Sequence, residues 1–188
     1  MRRRHHFSIA RKFVFTGQFV FLDESGAQTN MTRRYGRAPV GERCVDFTPH
    51  GHWKTQTLLS AIRCDGVIRQ ATLILDGPVN SHTFIGYTQQ CLAPALRPGD
   101  VVVMDNLAAH KTTAVQEAIA AVGADVWYLP PYSPDLNPIE KLWSKVKSWL
   151  RSAQARSLPE LFDHVAQALS SVTPQECQNY FRSCGYGY

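Results

Sequence analysis

The order of apolar runs in this sequence predicts one α/β domain, with a mixed central sheet and helices packed on it. Two observations carry that expectation. Three strand-like runs come first, FVFL at 19–22, TLLSAIRC at 57–64 and IRQATLIL at 68–75, and two more, VVVM at 101–104 and DVWYL at 125–129, then alternate with helical stretches. The chain of 188 residues is long enough for one well-buried domain and short for two, and its 44% hydrophobic and 19% charged residues are those of an ordinary globular protein.

Taken in order, residues 1–12 read as a basic N-terminal arm and 13–188 as the domain itself. FVFL, directly before Asp23, is a buried strand. Residues 33–54 are rich in turn formers and arginine and read as a loop or an outlying hairpin. The Asp65-Gly66 pair joins the next two strands as a hairpin. After Asp76-Gly77-Pro78 a helix is expected over about 81–96, ended by Pro98-Gly99. VVVM, wholly apolar between a turn and Asp105, is a central strand. A helix over about 111–122 stops at Gly123, and DVWYL is the last strand. The loop PPYSPDLNP then leads into a helix over 138–151, another helix follows over 159–171, and the tail ends in glycine and tyrosine. Three strands, helix, strand, helix, strand, helix is the ribonuclease-H-like order.

Several classes are excluded early. A basic MRRRHH followed by a partly apolar stretch resembles a secretion signal. The apolar run, however, is broken by Gly17 and Gln18, ends in Asp23-Glu24 and lacks a small-residue cleavage site. No segment approaches a membrane span in length. The five cysteines are odd in number and form no CxxC pair, which argues against a disulfide framework or a zinc ribbon and for a reducing cytosol. His50 and His52 are too few for a transition-metal site.

The net charge of +5 resides in one place. Arg2, Arg3, Arg4, Arg11 and Lys12 stand in the first twelve residues with no acid, so the remainder balances. Within that remainder, Lys141, Lys145, Lys147, Arg151 and Arg156 fall in 141–156 without an acid. Two such clusters point either to polyanion contact or to a solvated helix face beside a basic terminus.

The acids are more specific. Asp23 and Asp105 both stand at the ends of apolar strands, where open α/β sheets place their ligands and where a bare charge calls for a cation. Strands also end in Asp because Asp favours turns, and Asp76 before Gly77-Pro78 has that look. Glu140 taken alone is a helix-start residue, with Asn137 as N-cap, Pro138 first in the helix and Glu140 reaching back to the Asn137 amide.

Spacing and context change that reading. The segments FLDESG around Asp23, VVVMDNLAAH around Asp105 and YLPPYSPDLNPIEKLWSKVK around Glu140 resemble the DDE transposases of the Tc/mariner superfamily, in their bacterial insertion-sequence branch. They occur in that family's order, with 34 residues between Asp105 and Glu140, and run through nearly the whole chain. The resemblance implies that Asp23, Asp105 and Glu140 are a catalytic, metal-binding triad. Phosphodiester chemistry at such a site uses Mg²⁺, with Mn²⁺ as substitute, as two ions about 3.5–4 Å apart that serve the attacking and leaving oxygens.

Around the triad, Ile139, Leu142, Trp143, Val146, Trp149 and Leu150 form one apolar stripe of the helix, and Ser144, Lys147 and Arg151 continue the face of Glu140. Arg2, Arg3, Arg4, Lys141, Lys145, Lys147 and Arg151 are the candidate DNA contacts. Asn106 and His110 belong to the surroundings of Asp105, although His110 reads equally as a packing histidine. Glu24 is a spare acid, and Pro130, Pro131, Pro134 and Pro138 stiffen the loop before Glu140.

The resemblance further implies DNA as partner, both transposon ends and target, with a TA target preference and a dimer or higher assembly on DNA in a bacterial cytoplasm, associated with the nucleoid. Complete members carry helix-turn-helix modules ahead of the catalytic domain, whereas Asp23 comes almost at once here. A catalytic fragment is therefore expected, or one product of a split reading frame whose helix-turn-helix lies on a separate polypeptide. The alternatives are another ribonuclease-H-like nuclease and an inactive DNA-binding remnant.

Overall fold

The computed structural model describes residues 2–187, with side chains from Arg4 onward. Five strands, β1 (Phe19–Gln28), β2 (Thr55–Arg63), β3 (Gly66–Asp76), β4 (Val101–Met104) and β5 (Asp125–Tyr128), form one sheet in the order β3-β2-β1-β4-β5. The first three pair antiparallel and the last two run parallel to β1. This is the mixed sheet that the sequence predicts. The β2–β3 hairpin turns at Cys64-Asp65, one residue earlier than expected, because Gly66 already pairs with Arg63.

The pleat sorts the core into two layers. Phe19, Phe21, Val101 and Val103 face helices α4 (Ile139–Ala153), α5 (Leu158–Ser170) and α6 (Pro174–Ser183). Val20, Leu22, Val102 and Met104 face α2 (Ser81–Tyr87) and α3 (Thr113–Ala120). Before β4, the buried Asp100 pairs with Arg63 and accepts a hydrogen bond from the Arg97 N–H at 2.7 Å, so the start of the strand that leads to Asp105 is pinned.

Helix ends follow their caps. Asn80, Ser157 and Thr173 each accept from a first-turn N–H of α2, α5 and α6, the last two with Glu160 and Glu176 completing capping boxes. The expected helix over 81–96 is α2 followed by a wide turn at Thr88–Leu92 and a tight one at Ala93–Ala95. Thr88 bonds back to the Phe84 carbonyl at 2.8 Å, and Pro94 has no N–H to continue the ladder.

Three expectations need correction. The basic arm is helical as α1 (Arg2–Ala10), and Phe7 packs edge-on against Trp127 with ring centroids 6.0 Å apart. An apolar contact at the sheet's edge thus fixes a segment that charge alone marks as solvated. Helix α6 was not foreseen, although Thr173-Pro174-Gln175-Glu176 is a helix-start pattern. Trp149, expected on the apolar stripe of α4, lies at its edge and stays 38% exposed while Trp143 is buried. Between β1 and β2, residues 31–54 run as a long exposed loop with no hairpin. Among the described residues, no helix is long and apolar enough to cross a membrane.

Candidate active site

Parallel pairing brings the two aspartates together. Phe21 pairs with Val103 in the β1–β4 register, so two residues further along Asp23 comes level with Asp105, just past the end of β4. Both alternate onto the face that carries α4. Glu24, one residue on, falls on the opposite face, the side of α2.

The third acid arrives from the loop after β5. Leu129 N–H bonds to the Met104 carbonyl at 2.8 Å, which carries the β4–β5 pairing up to the start of that loop. Pro130 and Pro131 follow, and Tyr132 adopts a left-handed backbone, φ 54°, while remaining 98% exposed. The Tyr186 hydroxyl donates to the Leu136 carbonyl at 2.8 Å, and Arg4 donates to the Tyr132 carbonyl and to Asp135. This braced loop delivers Glu140 in the first turn of α4. Asp23, Asp105 and Glu140, with Asn106, Leu107, Tyr132 and Asn137, line one cleft of about 460 Å³.

The helix start differs from the expectation. α4 has no side-chain cap, and Glu140 makes no side-chain hydrogen bond among the described residues. Asn137 instead turns its Nδ2–H to Asp23 Oδ2 at 3.3 Å, while its own Oδ1, shut off from solvent, has no partner among the described residues. The sequence pattern concealed this residue because Asn before Pro at a helix start is sufficiently explained by capping.

His110 is buried and stacked on Phe84, with ring centroids 4.1 Å apart. Its Nε2 meets Glu24 Oε1 at 3.1 Å. Its Nδ1 lies 2.6 Å from Asp105 Oδ1, a charge contact outside the N–H direction, so Nδ1 has no aligned hydrogen bond. Burial by itself would push the imidazole down, but Asp105 and Glu24 outweigh it and raise the pKa to about 9. His110 is thus a cation at neutral pH, and Glu24, expected as a spare acid, is its partner. Asn106 lines the cleft beside Asp105.

The same contacts act on the acids. Burial favours protonation of Asp105, but His110, the Leu107 N–H and Lys111 hold it below the ordinary carboxylate range. Asp23 goes the other way. Its burial, and the charges of Glu140, Asp105 and Glu24, outweigh the Glu24 N–H bond and raise it to about 7.

Such a cleft suits a hard divalent cation, which takes carboxylate oxygens and would offset both the burial and the neighbouring charges that raise Asp23. Among the described residues no three acids or other ligating side chains are drawn in closely enough to hold an ion. Rotation of the exposed Glu140, which no hydrogen bond restrains, would be needed to close the set.

The candidate DNA contacts divide. Lys145 is engaged within the fold: its ammonium donates to both Glu176 oxygens at 2.8 Å and to the Ser171 carbonyl at 2.9 Å, tying α4 to the α5–α6 turn. Arg4 is engaged in the loop brace, and the side chains of Arg2 and Arg3 lie outside the described residues. Lys141 is exposed, and Lys147 and Arg151 are half-buried along the Glu140 face of α4. The pKa of Arg151 is lowered by burial and by Arg34, so the loop over residues 31–54 adds a basic group beside it that the sequence did not reveal.

Comparison with known proteins agrees with this architecture. The Tcb2 transposase of Caenorhabditis briggsae is 27% identical over 97 residues, 46% of this chain and 36% of that protein. The Mos1 transposase in a paired-end complex with the left transposon end superposes with a TM-score of 0.78 at 18% identity, over 97% of this chain and 58% of that one. The catalytic domain of Mos1 mariner transposase alone gives 0.71 at 16% identity, over 97% and 86%. At these identities the structural likeness shows the fold, which is ribonuclease-H-like as expected. The chain spans about a third of the curated relative and little more than half of the Mos1 protein. A model of the DDE superfamily endonuclease family matches residues 18–162, most of the chain and every element that builds the cleft from β1 to α4, and this chain belongs to that family.

Proposed function

We propose that this chain is the catalytic unit of a cut-and-paste DNA transposase, cleaving transposon-end DNA and joining it to a target. The observation that carries the reading is the shared cleft of Asp23, Asp105 and Glu140, in which burial and, after it, neighbouring charge raise Asp23 to about 7. One strongly shifted carboxyl beside two other acids in a cleft is the pattern of a functional site. Asp23, Asp105 and Glu140 would hold Mg²⁺ or Mn²⁺, two ions in our reading, and the metal would supply charge stabilisation to the attacking and leaving oxygens.

The rest of the chemistry belongs to the chain. His110 keeps Asp105 ionised, the proline loop fixes the start of α4, and Lys141, Lys147 and Arg151 line a path for phosphates away from Glu140. The exposed loop with Tyr35, Val40, Val45, Phe47 and Trp53 supports assembly of more than one chain on DNA, since apolar groups so displayed commonly mark contact surfaces. The finer placement, in the bacterial insertion-sequence branch and acting at the nucleoid, rests on the three sequence segments and their spacing. Recognition of the ends is assigned to a helix-turn-helix module on another part of the protein or on a separate polypeptide.

Nicking of a duplex bearing the inverted repeat that flanks the gene, with and without Mg²⁺ or Mn²⁺, tests the reading. Metal-dependent cleavage is expected from the wild type. It should fall by several orders of magnitude in Asp105→Asn, with folding retained, and stay unchanged in Asp76→Asn, whose exposed carboxylate only accepts a bond from Gln56. Wild-type nicking by Asp105→Asn would sink the assignment. Cleavage confined to RNA–DNA hybrids would indicate a different nuclease, and DNA binding without cleavage would indicate a remnant.

A further inference from the structure

We propose that Asn137 is a positioning residue for Asp23, not a helix cap. The inference rests on the reading of Asp23 as a metal ligand. A capping asparagine would spend its Oδ1 on the first N–H groups of α4, as Asn80 does for α2 through its bond to Thr83 N at 2.9 Å. Asn137 does not: its Oδ1 has no partner among the described residues, although the residue is only 4% exposed. A buried amide oxygen left bare is unfavourable, and the cap that would have satisfied it lies within the same residue's repertoire.

What Asn137 gains is the Nδ2–H bond to Asp23 Oδ2 at 3.3 Å, while the Glu24 N–H holds Oδ1 of the same carboxyl at 2.8 Å. Two donors on two oxygens fix the plane of the carboxylate. Asn137 is itself fixed, since its N–H bonds to the Pro134 carbonyl at 3.0 Å and its carbonyl receives the Glu140 N–H at 3.2 Å. One residue therefore ties the strand that bears the first acid to the helix turn that bears the third. The distance between Asp23 and Glu140 is set through it.

Asn137→Ser separates positioning from capping. Serine caps a helix about as well as asparagine but is too short to reach Asp23. Mn²⁺ affinity of the full chain, measured by calorimetry, should weaken by about 10–100-fold in Asn137→Ser, the usual effect of losing a residue that orients a ligand. The melting midpoint in chelator should stay at the wild-type value. Asn137→Ala, which removes the same bond, should lose the same affinity. Wild-type Mn²⁺ affinity in Asn137→Ser would overturn the proposal and leave the metal site standing. If the wild type binds no Mn²⁺ at all, the metal-site reading fails and this proposal fails with it.

Discussion

Asp23 holds its proton to about 7 where an ordinary aspartate releases it near 3.8, and His110 holds its own to about 9 against an ordinary 6.5. Both shifts have the same sign for stability. The native state retains protons that the unfolded chain has lost, between about 4 and 7 for Asp23 and between 6.5 and 9 for His110, so the metal-free protein should lose stability as pH rises through each window. Asp23→Asn should flatten the lower window and leave the upper one, as thermal melts in chelator from pH 4 to 9.5 would show. A slope that survives in Asp23→Asn would mean that this carboxyl is not the strained group. Mn²⁺ competes with the same proton, so its stabilisation of the wild type should be larger at pH 8 than at pH 6. At this scale the sequence revealed which acids end strands but not their electrostatic state. That state depends on the β1–β4 register and on His110 crossing from the α2 side, neither of which is written in local pattern.

Helix α4 shows why some roles stayed hidden at the scale of elements. Its apolar stripe was legible except at Trp149: Ile139, Leu142, Trp143, Val146 and Leu150 are buried because burial follows a 3.6-residue period. Its lysines were not, because a basic row looks the same whether it faces DNA or a neighbouring helix. Lys145 meets Glu176 of α6, an element missing from the sequence reading, so its partner could not be named. Lys145→Met should lower stability by about 1 kcal/mol, for one carbonyl bond and a partly exposed ion pair, and the melting point by roughly 2–4 °C. It should leave the salt dependence of DNA binding unchanged. Lys147→Met, by contrast, should reduce the slope of log affinity against log salt by about 0.9, the loss of one phosphate contact, with little effect on melting. Binding titrations at several salt concentrations decide between them, and a reduced slope in Lys145→Met would return that residue to the DNA surface.

Across the whole molecule, the cleft is supported from behind by segments distant in sequence. The Tyr186 ring packs on Phe19, Phe21 and Phe181, and the Arg11 guanidinium lies 4.8 Å from its centroid. Arg11 also donates to the Cys184 carbonyl at 2.8 Å, so the turn that follows α1 and the residues after α6 close together over the core. From this buried position the Tyr186 hydroxyl reaches Leu136, one residue before Asn137 and four before Glu140. Tyr186→Phe keeps the packing and removes that bond, leaving a buried carbonyl unpaired at a cost of about 1–3 kcal/mol. If the bond only stabilises, the variant should melt earlier and cleave normally at temperatures where it is folded. Our expectation is different: because the loop that delivers Glu140 loses an anchor, metal-dependent nicking should drop about tenfold or more with DNA affinity unchanged, small displacements at a reacting centre being expensive. Phe181→Leu is the control, since it loosens the same aromatic cluster without touching the Leu136 carbonyl. Equal nicking in the two variants, at matched loss of stability, would show that Tyr186 supports the fold alone. A selective loss in Tyr186→Phe would show that the end of the domain farthest along the chain from Asp23 holds the third acid in place.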